Sequence, residues 1–155
     1  MMTETIPARF DETRPFLAVN IAVLTVSDTR TAETDKSGDA LAAMIEADGH
    51  RVASRMILKD DTDLITGQLN VWVSDPNIDC IITTGGTGVT GRDVTPEAFD
   101  HVLEKKIDGF GEMFRWLSFQ MIGTSALQSR AVGGVAHGTY MFALPGSTGA
   151  VKDGW

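Results

Sequence analysis

An apolar segment that runs directly into glycines constrains this chain more than any other feature. Residues 78–84 are predicted to form a strand, and the loop 85–88 contains three glycines in four residues. The next helix is delayed until Thr95, its predicted N-cap, and Pro96, its predicted first residue. Asp93 lies in the polar stretch between them. The pattern brings a strand end, backbone N–H groups and a carboxylate together, which suits a phosphate and a metal ion.

Strand and helix patterns alternate along the rest of the chain. Strands are predicted at 19–26, 51–58, 78–84, 131–132 and 139–144, and helices at 37–48, 64–72, 95–103 and 109–122. The first strand is almost continuously apolar and β-branched, which is typical of a parallel strand buried on both faces. Ser37 is the predicted cap of the first helix. The alternation predicts an open, mostly parallel α/β sheet with helices on both faces and its ligand outside the carboxyl ends of the strands.

Composition narrows the class of protein. The chain has 155 residues and a net charge of −8, so we expect one domain, residues 18–155, preceded by an arm, residues 1–17. An acidic surface argues against nucleic-acid binding, which requires many Lys and Arg side chains. No apolar leader is evident, and the uncharged stretch 131–151 is too rich in glycine to span a membrane. The single cysteine, Cys80, is predicted to be an inert buried thiol and is compatible with a cytoplasmic location.

Alternative interpretations exist for the loop and its neighbours. Residues 86–91 fit G-x-G-x-x-G, but a dinucleotide site requires the helix to open inside the motif, and here it does not. Asp93 is either a ligand of Mg²⁺ beside a phosphate or a turn aspartate that accepts hydrogen bonds from nearby backbone. Arg92 faces either phosphate or solvent. The acidic run 60–63 is predicted to be a solvated turn in which Asp61 or Thr62 caps the next helix, with one member able to reach the site.

Five short motifs follow one another along the chain. They are Val-Ser-Asp-Thr-Arg at 26–30, Thr-Gly-Gly-Thr-Gly at 84–88, Gly-Arg-Asp-Val-Thr-Pro-Glu-Ala at 91–98, Gly-Phe-Gly-Glu-Met-Phe-Arg at 109–115 and Leu-Pro-Gly-Ser at 144–147. Together and in this order they resemble the MoaB/MogA family of molybdenum cofactor biosynthesis. The stretch 117–132 is more similar to the MoaB branch. The resemblance extends over residues 20–155 and implies a three-layer α/β/α fold with a mostly parallel sheet.

The resemblance also implies an activity, the adenylylation of molybdopterin by ATP with Mg²⁺. The two family acids match Asp60 and Asp93, which are therefore the expected catalytic residues and Mg²⁺ ligands. Asp61 is the alternative if the register is shifted by one residue. The residues that match the family's nucleotide, phosphate and pterin positions follow strand ends: Ser27, Asp28, Gly85, Gly86, Thr87, Gly88 and Ser147.

Two further expectations come from the same resemblance. Family members assemble as homotrimers or hexamers, and relatives carry a further helix beyond the position of Trp155, so the C-terminal helix is expected to be missing or short here. Some MoaB-type chains lack the acid that matches Asp93. The alternative function is therefore a non-catalytic molybdopterin-binding or hand-over protein of the same pathway, whereas retention of Asp93 favours catalysis.

Overall fold

The computed structural model describes residues 11–155, and within them six strands form one mixed sheet in the order β2-β1-β3-β6-β5-β4. The strands are β1 Asn20–Val26, β2 Arg51–Leu58, β3 Cys80–Thr84, β4 Lys105–Lys106, β5 Val132–Ala136 and β6 Thr139–Leu144. Strands β2, β1, β3 and β6 are parallel to one another. Strand β5 is antiparallel to both β6 and β4. The predicted mostly parallel sheet is confirmed, but β4 and most of β5 were not predicted.

Helices cover both faces of the sheet. In the described part of the chain they are α1 Lys36–Ala47, α2 Thr62–Val73, α3 Thr95–Val102, α4 Asp108–Ile122, a 3₁₀ helix Gly123–Gln128 and α5 Thr148–Gly154. Helices α2 and α3 pack on one face, and α1, α4 and α5 pack on the other. The predicted three-layer α/β/α fold is confirmed. None of the helices within residues 11–155 is long and apolar enough to cross a bilayer.

Strand β1 shows why two helical layers are required. Ala22 and Leu24 pack into the core on the side of α2 and α3, whereas Ile21 and Val23 pack into the core on the opposite side. These four side chains are at most 2% exposed. Successive side chains of a strand point to opposite faces of the sheet. A strand that is apolar at every position is therefore buried only if helices pack on both faces.

The predicted cap of α1 is wrong. The cap is Asp35, whose carboxylate accepts a hydrogen bond from the N–H of Gly38 at 3.1 Å. Ser37 lies in the first turn instead, where its hydroxyl contacts Arg30 at 2.6 Å and Thr84 at 3.2 Å. Serine is favoured at a cap because its hydroxyl can bond the helix's own N–H groups, but here the hydroxyl has partners from two other elements.

The predicted cap of α3 is also wrong, whereas that of α2 is confirmed. Thr95 is the first residue of α3 and follows the cap position, which Val94 occupies without a side-chain bond. The Thr95 hydroxyl donates instead to the carbonyl of Gly85 at 2.9 Å. Asp61 caps α2 by accepting from the N–H of Leu64 at 3.0 Å.

The structure does not test the predictions made for the two ends of the chain. Residues 1–10 of the predicted arm lie outside the described residues, and the phenyl ring of Phe16 lies against His50 with ring centroids 5.1 Å apart. At the other end, α5 is a helix of seven residues. The domain boundary at residue 18 and the missing or short C-terminal helix stay predictions.

Candidate ligand-binding site

A cleft of about 670 Å³ opens at the carboxyl ends of β1, β3 and β6. Its floor is formed by the loops that follow these strands, one wall by α4 and the 3₁₀ helix, and the other by α5. The predicted convergence of polar clusters on one sheet edge is confirmed. The predicted site residues that line the cleft are Ser27, Asp60, Gly85, Gly86, Thr87, Gly88, Asp93 and Ser147.

The glycine loop leaves β3 in a conformation that requires glycine. Gly85 and Gly86 have φ angles of +104° and +70°, in the left-handed region that side chains disfavour. A Cβ on Gly85 would also lie 2.2 Å from the carbonyl oxygen of Val26 in β1. Helix α3 begins well after Gly88, as predicted, so the loop is not the start of a dinucleotide-binding helix.

Thr95 fixes the direction of the first peptides in this loop. Its hydroxyl donates to the Gly85 carbonyl at 2.9 Å and its N–H to the Gly86 carbonyl at 3.1 Å. In a planar trans peptide the next N–H points away from the carbonyl. The N–H groups of Gly86 and Thr87 are therefore turned from Thr95, and neither has a hydrogen-bond acceptor among residues 11–155. Such unpaired N–H groups form an anion-binding nest.

Asp60 lies beside the glycine loop with its carboxylate open to the cleft. A Cβ on Gly86 would lie 3.2 Å from Oδ1 of Asp60. Burial raises the pKa of Asp60, and the negative charges of Asp28 and Asp93 raise it further. The charge of Arg92 and the backbone N–H of Asp28 oppose these effects without outweighing them, so a cation in the cleft would be a favourable partner.

Asp93 is both a turn residue and a cleft residue. Its interpretation as a turn aspartate is confirmed, and its role as a ligand of Mg²⁺ stays a prediction. Its Oδ2 accepts hydrogen bonds from the N–H of Thr90 at 3.0 Å and the hydroxyl of Thr90 at 2.8 Å. Burial alone would raise the pKa of Asp93, but the Thr90 bonds, the N–H of Gly88 and the charge of Arg130 outweigh burial and lower it. The ionised form is thereby stabilised at the rim of the glycine loop.

Asp28 lies behind Asp60 and does not line the cleft. One of its oxygens accepts a hydrogen bond from the backbone N–H of Asp60 at 3.1 Å, and the other pairs with Arg92. The N–H of Asp60 is the main cause that lowers the pKa of Asp28, and the charge of Arg92 adds to it despite opposing desolvation. Asp28 therefore positions the Asp60 backbone, and Arg92 faces Asp28 and solvent.

Ser147 and Ser27 take part in local turns at the other two strand ends. Ser147 caps α5 by accepting from the N–H of Ala150 at 3.0 Å. Ser27 accepts from the N–H groups of Thr29 and Arg30 at 3.2 and 3.1 Å. The Arg30 guanidinium then reaches across to the carbonyl of Gly146 at 2.7 Å. Arg30 thus links the first strand-end loop to the Pro-Gly loop.

The residues can hold a magnesium ion only together with a ligand. No group of three carboxylate, imidazole or thiol side chains in residues 11–155 is close enough to bind a metal ion by itself. Mg²⁺ is usually held by one or two carboxylates with phosphate oxygens and water completing its shell. Asp60 and Asp93 fit that requirement in number and in chemistry. Asp61, by contrast, is engaged as the α2 cap.

Two parts of the site were not predicted from the sequence: the cleft wall formed by α4 and the 3₁₀ helix, and Arg130. Ser118, Met121, Ile122 and Ser125 recur at helical spacing along α4 and the 3₁₀ helix and face the cleft. The sequence did contain one signal for this wall, because Ser118 is a polar residue on the buried, apolar face of α4. The contact of Arg130 with the glycine loop could not be predicted from the sequence, because the two are far apart along the chain.

Comparison with known proteins gives a consistent result. The family model MoCF_biosynth, described as "Probable molybdopterin binding domain", matches residues 22–155. The Molybdenum cofactor biosynthesis protein B of Escherichia coli (strain K12) is 44% identical over 140 residues, which are 90% of this chain and 82% of that protein. The protein of the same name from Staphylococcus aureus (strain COL) is 51% identical over 137 residues, 86% of this chain and 81% of that protein.

Solved structures agree with the fold. The crystal structure of Molybdenum cofactor biosynthesis protein B superposes with a TM-score of 0.88 at 44% identity, and covers 91% of this chain and 88% of that one. A MogA structure superposes with a TM-score of 0.80 at 32% identity, and covers 87% of this chain and 89% of that one. Both relatives therefore share the layers and the sheet described above.

The glycine loop generates a stability prediction with a matched control. Gly85→Ala forces a side chain into the carbonyl of Val26 at a left-handed residue, so we expect it to lower the free energy of unfolding by about 1–3 kcal/mol. Gly67→Ala, in helix α2 with open space around its Cα, should raise that free energy by about 0.5–1 kcal/mol. Urea unfolding of both variants measures the difference. Equal stabilities would contradict the packing of the loop against β1.

Proposed function

Because the chain belongs to the MoCF_biosynth family of molybdenum cofactor biosynthesis, we propose that its cleft binds molybdopterin and Mg-ATP and adenylylates molybdopterin. The observation that carries this proposal is the glycine loop, which lies beside two carboxylates and whose Gly86 and Thr87 N–H groups have no acceptor within residues 11–155. A cytoplasmic location belongs to the same proposal. It agrees with Cys80, whose thiol pKa is raised to about 12 by burial and then by the charge of Asp79, so that the thiol is unreactive.

The proposed reaction is a nucleotidyl transfer. A terminal phosphate oxygen of molybdopterin attacks the α-phosphorus of ATP and forms a new P–O bond. The bond between the α-phosphorus and the bridging oxygen of the β-phosphate breaks, and pyrophosphate leaves. The protein's contribution to such a transfer is mainly positioning of the phosphates and stabilisation of their charge.

The glycine loop and the carboxylates have complementary parts in this proposal. The N–H groups of Gly86 and Thr87 bind phosphate oxygens and orient them without adding a mobile charge. Asp60 and Asp93 hold Mg²⁺, which when bound neutralises phosphate charge. That cation would also offset the repulsion that the two bare carboxylates exert on a polyphosphate.

The pterin is proposed to lie on the other side of the cleft. That side has Ser147 and Ala150 of the α5 turn, opposite Ser118, Ser125 and Gln128. Hydroxyl and amide groups set among apolar side chains are typical of sites that orient a polar heterocycle. Ser118 is 6% exposed and makes no side-chain hydrogen bond within the described residues, so it has a hydroxyl available for a ligand.

A second candidate function is molybdopterin binding or hand-over without turnover of ATP. Two observations support it. The relatives at 44% and 51% identity are named protein B, whereas the MogA structure is 32% identical. The Oδ2 of Asp93 is already satisfied by Thr90 without any ligand. A titration that detects binding of molybdopterin but not of Mg-ATP supports this candidate over the first.

Substitution of the two acids tests the catalytic proposal. Asp60→Asn and Asp93→Asn each remove an anionic Mg²⁺ ligand at nearly constant volume, so we expect kcat to fall by roughly 10²–10³-fold. The measurement is Mg²⁺-dependent release of pyrophosphate from ATP in the presence of molybdopterin. Asp63→Asn is the control, because Asp63 lies in the first turn of α2 and does not line the cleft. Undiminished turnover in both test variants would overturn the assignment.

We also propose that the chain assembles with copies of itself, as a homotrimer or hexamer, through the outer face of α4 and the 3₁₀ helix. Exposed large apolar side chains cover this face: Met113, Trp116, Leu117, Phe119 and Leu127. Large exposed apolar patches mark interaction sites. Arg115 is the one charged residue between positions 113 and 129, and it donates to backbone carbonyls of its own chain. The face therefore has little charge to repel a second copy.

A charge placed on that face should disrupt assembly. Trp116→Glu and Leu127→Glu each put a carboxylate at a side chain that is 55% and 87% exposed, respectively, and burying an unpaired charge is costly. Light scattering after size exclusion should show a smaller species than the unmodified chain. Val71→Glu, an exposed position on α2, should leave the mass unchanged. A monomeric unmodified chain, or variants with its full assembled mass, would contradict the proposal.

A further inference from the structure

Arg130 connects the glycine loop to the segment that carries Asp93. Its Nε donates to the carbonyl of Gly88 at 2.7 Å, and a terminal nitrogen donates to the carbonyl of Asp93 at 2.8 Å. Its backbone N–H donates to the carbonyl of Thr87 at 3.0 Å. Both carboxylate oxygens of Glu97, in α3, pair with the guanidinium. One residue thus ties two carbonyls of the loop, the Asp93 backbone and a helix to one another.

The carbonyls that Arg130 holds determine where the following N–H groups point. No peptide bond in the described chain is cis, and in a trans peptide the carbonyl and the next N–H are antiparallel. With the carbonyls of Thr87 and Gly88 turned toward Arg130, the N–H groups of Gly88 and Val89 point away from it. Thr95 does the same for the two preceding peptides. All four carbonyls of the loop are therefore held on the protein side.

We infer that Arg130 is a positioning residue that sets the glycine loop and Asp93 in their ligand-binding arrangement before any ligand arrives. The inference rests on the proposed phosphate-binding function of the loop. A guanidinium presents its donors in a rigid planar fork, so it can hold two carbonyls and a carboxylate at fixed relative positions. Without it the Gly88 carbonyl loses its partner and the Gly88–Val89 peptide is free to rotate, and a carbonyl oxygen turned into the cleft would repel a phosphate. The Thr87 carbonyl keeps its bond to the backbone N–H of residue 130.

The chain offers a matched control arginine. Arg115, in α4, donates to the carbonyls of Ser129 and Ala131 at 3.3 and 3.1 Å. It is partly buried, like Arg130, and supports the segment on either side of it. It contacts neither the glycine loop nor Asp93. Arg115→Lys therefore removes a carbonyl-binding guanidinium from the same region without removing a side-chain contact to Gly88 or Asp93.

The test compares Arg130→Lys with Arg115→Lys by two readouts. The first is the Kd for Mg-ATP by calorimetry. The second, loop exchange, is hydrogen exchange of the two bonded backbone amides at the loop, that of Gly88, which donates to Asp93, and that of residue 130, which donates to Thr87. Lysine keeps the charge but lacks the fork. We therefore expect Arg130→Lys to weaken Mg-ATP binding roughly tenfold and to speed exchange in the loop. Arg115→Lys should change neither, even where both variants lose similar stability to urea.

The outcomes separate this inference from the proposed function. If the unmodified chain binds Mg-ATP and Arg130→Lys matches Arg115→Lys in both readouts, the positioning role is wrong and the proposed function stands. If the unmodified chain binds no Mg-ATP, the proposed function fails, and loop exchange alone decides the role of Arg130. If Arg130→Lys does not fold, Glu97→Gln serves in its place, because loss of the carboxylate charge loosens the guanidinium and so weakens its bonds to the Gly88 and Asp93 carbonyls. Loop exchange in Glu97→Gln equal to that of Arg115→Lys would then overturn the inference.

Discussion

The contact between Gly85 and the neighbouring strand ends is the constraint on which the site depends. The N–H of Gly85 donates to the carbonyl of Leu144 in β6 at 2.9 Å, and its missing Cβ leaves room for the carbonyl of Val26 in β1. A Cβ on Gly146 would lie 3.3 Å from the Gly85 Cα. Three strand ends therefore meet with almost no side chain between them. The cleft exists at this edge because β1, β3 and β6 can approach so closely there.

The charges around the cleft determine which kind of ligand it favours. The loop offers partial positive charge from N–H groups, but Asp60 and Asp93 add negative charge around it. Because burial and its neighbours raise the pKa of Asp60 above the unfolded value, its ionisation opposes folding and this cost appears as the pH rises through the folded pKa. A bound cation would relieve that repulsion. The combination favours an anion that arrives with a metal over an anion alone, which is the chemical reason for proposing Mg-ATP as a ligand of the cleft.

The sequence predicted those parts of the structure that local patterns determine. The continuous apolar run of β1 predicted helices on both faces of the sheet, and the glycine run with its delayed helix predicted an exposed backbone loop. Pairings between distant residues were not predictable in the same way. Ser37 and Thr95 were interpreted as caps because a hydroxyl before a helix usually bonds that helix, whereas here their hydroxyls bond Arg30 and the Gly85 carbonyl. Arg130 carries no local signal at all, since its partners are fixed by the tertiary fold.

The most direct test of the account is whether the glycine-loop N–H groups contact phosphate. In a titration of the ¹⁵N-labelled protein with Mg-ATP, the amide resonances of Gly86 and Thr87 should shift saturably. The shifts should be weaker when Mg²⁺ is removed. An Asp60→Asn sample should lose the dependence on Mg²⁺ while the loop resonances remain folded. Resonances of Gly86 and Thr87 that stay in place at saturating Mg-ATP, while other regions shift, would contradict the central claim.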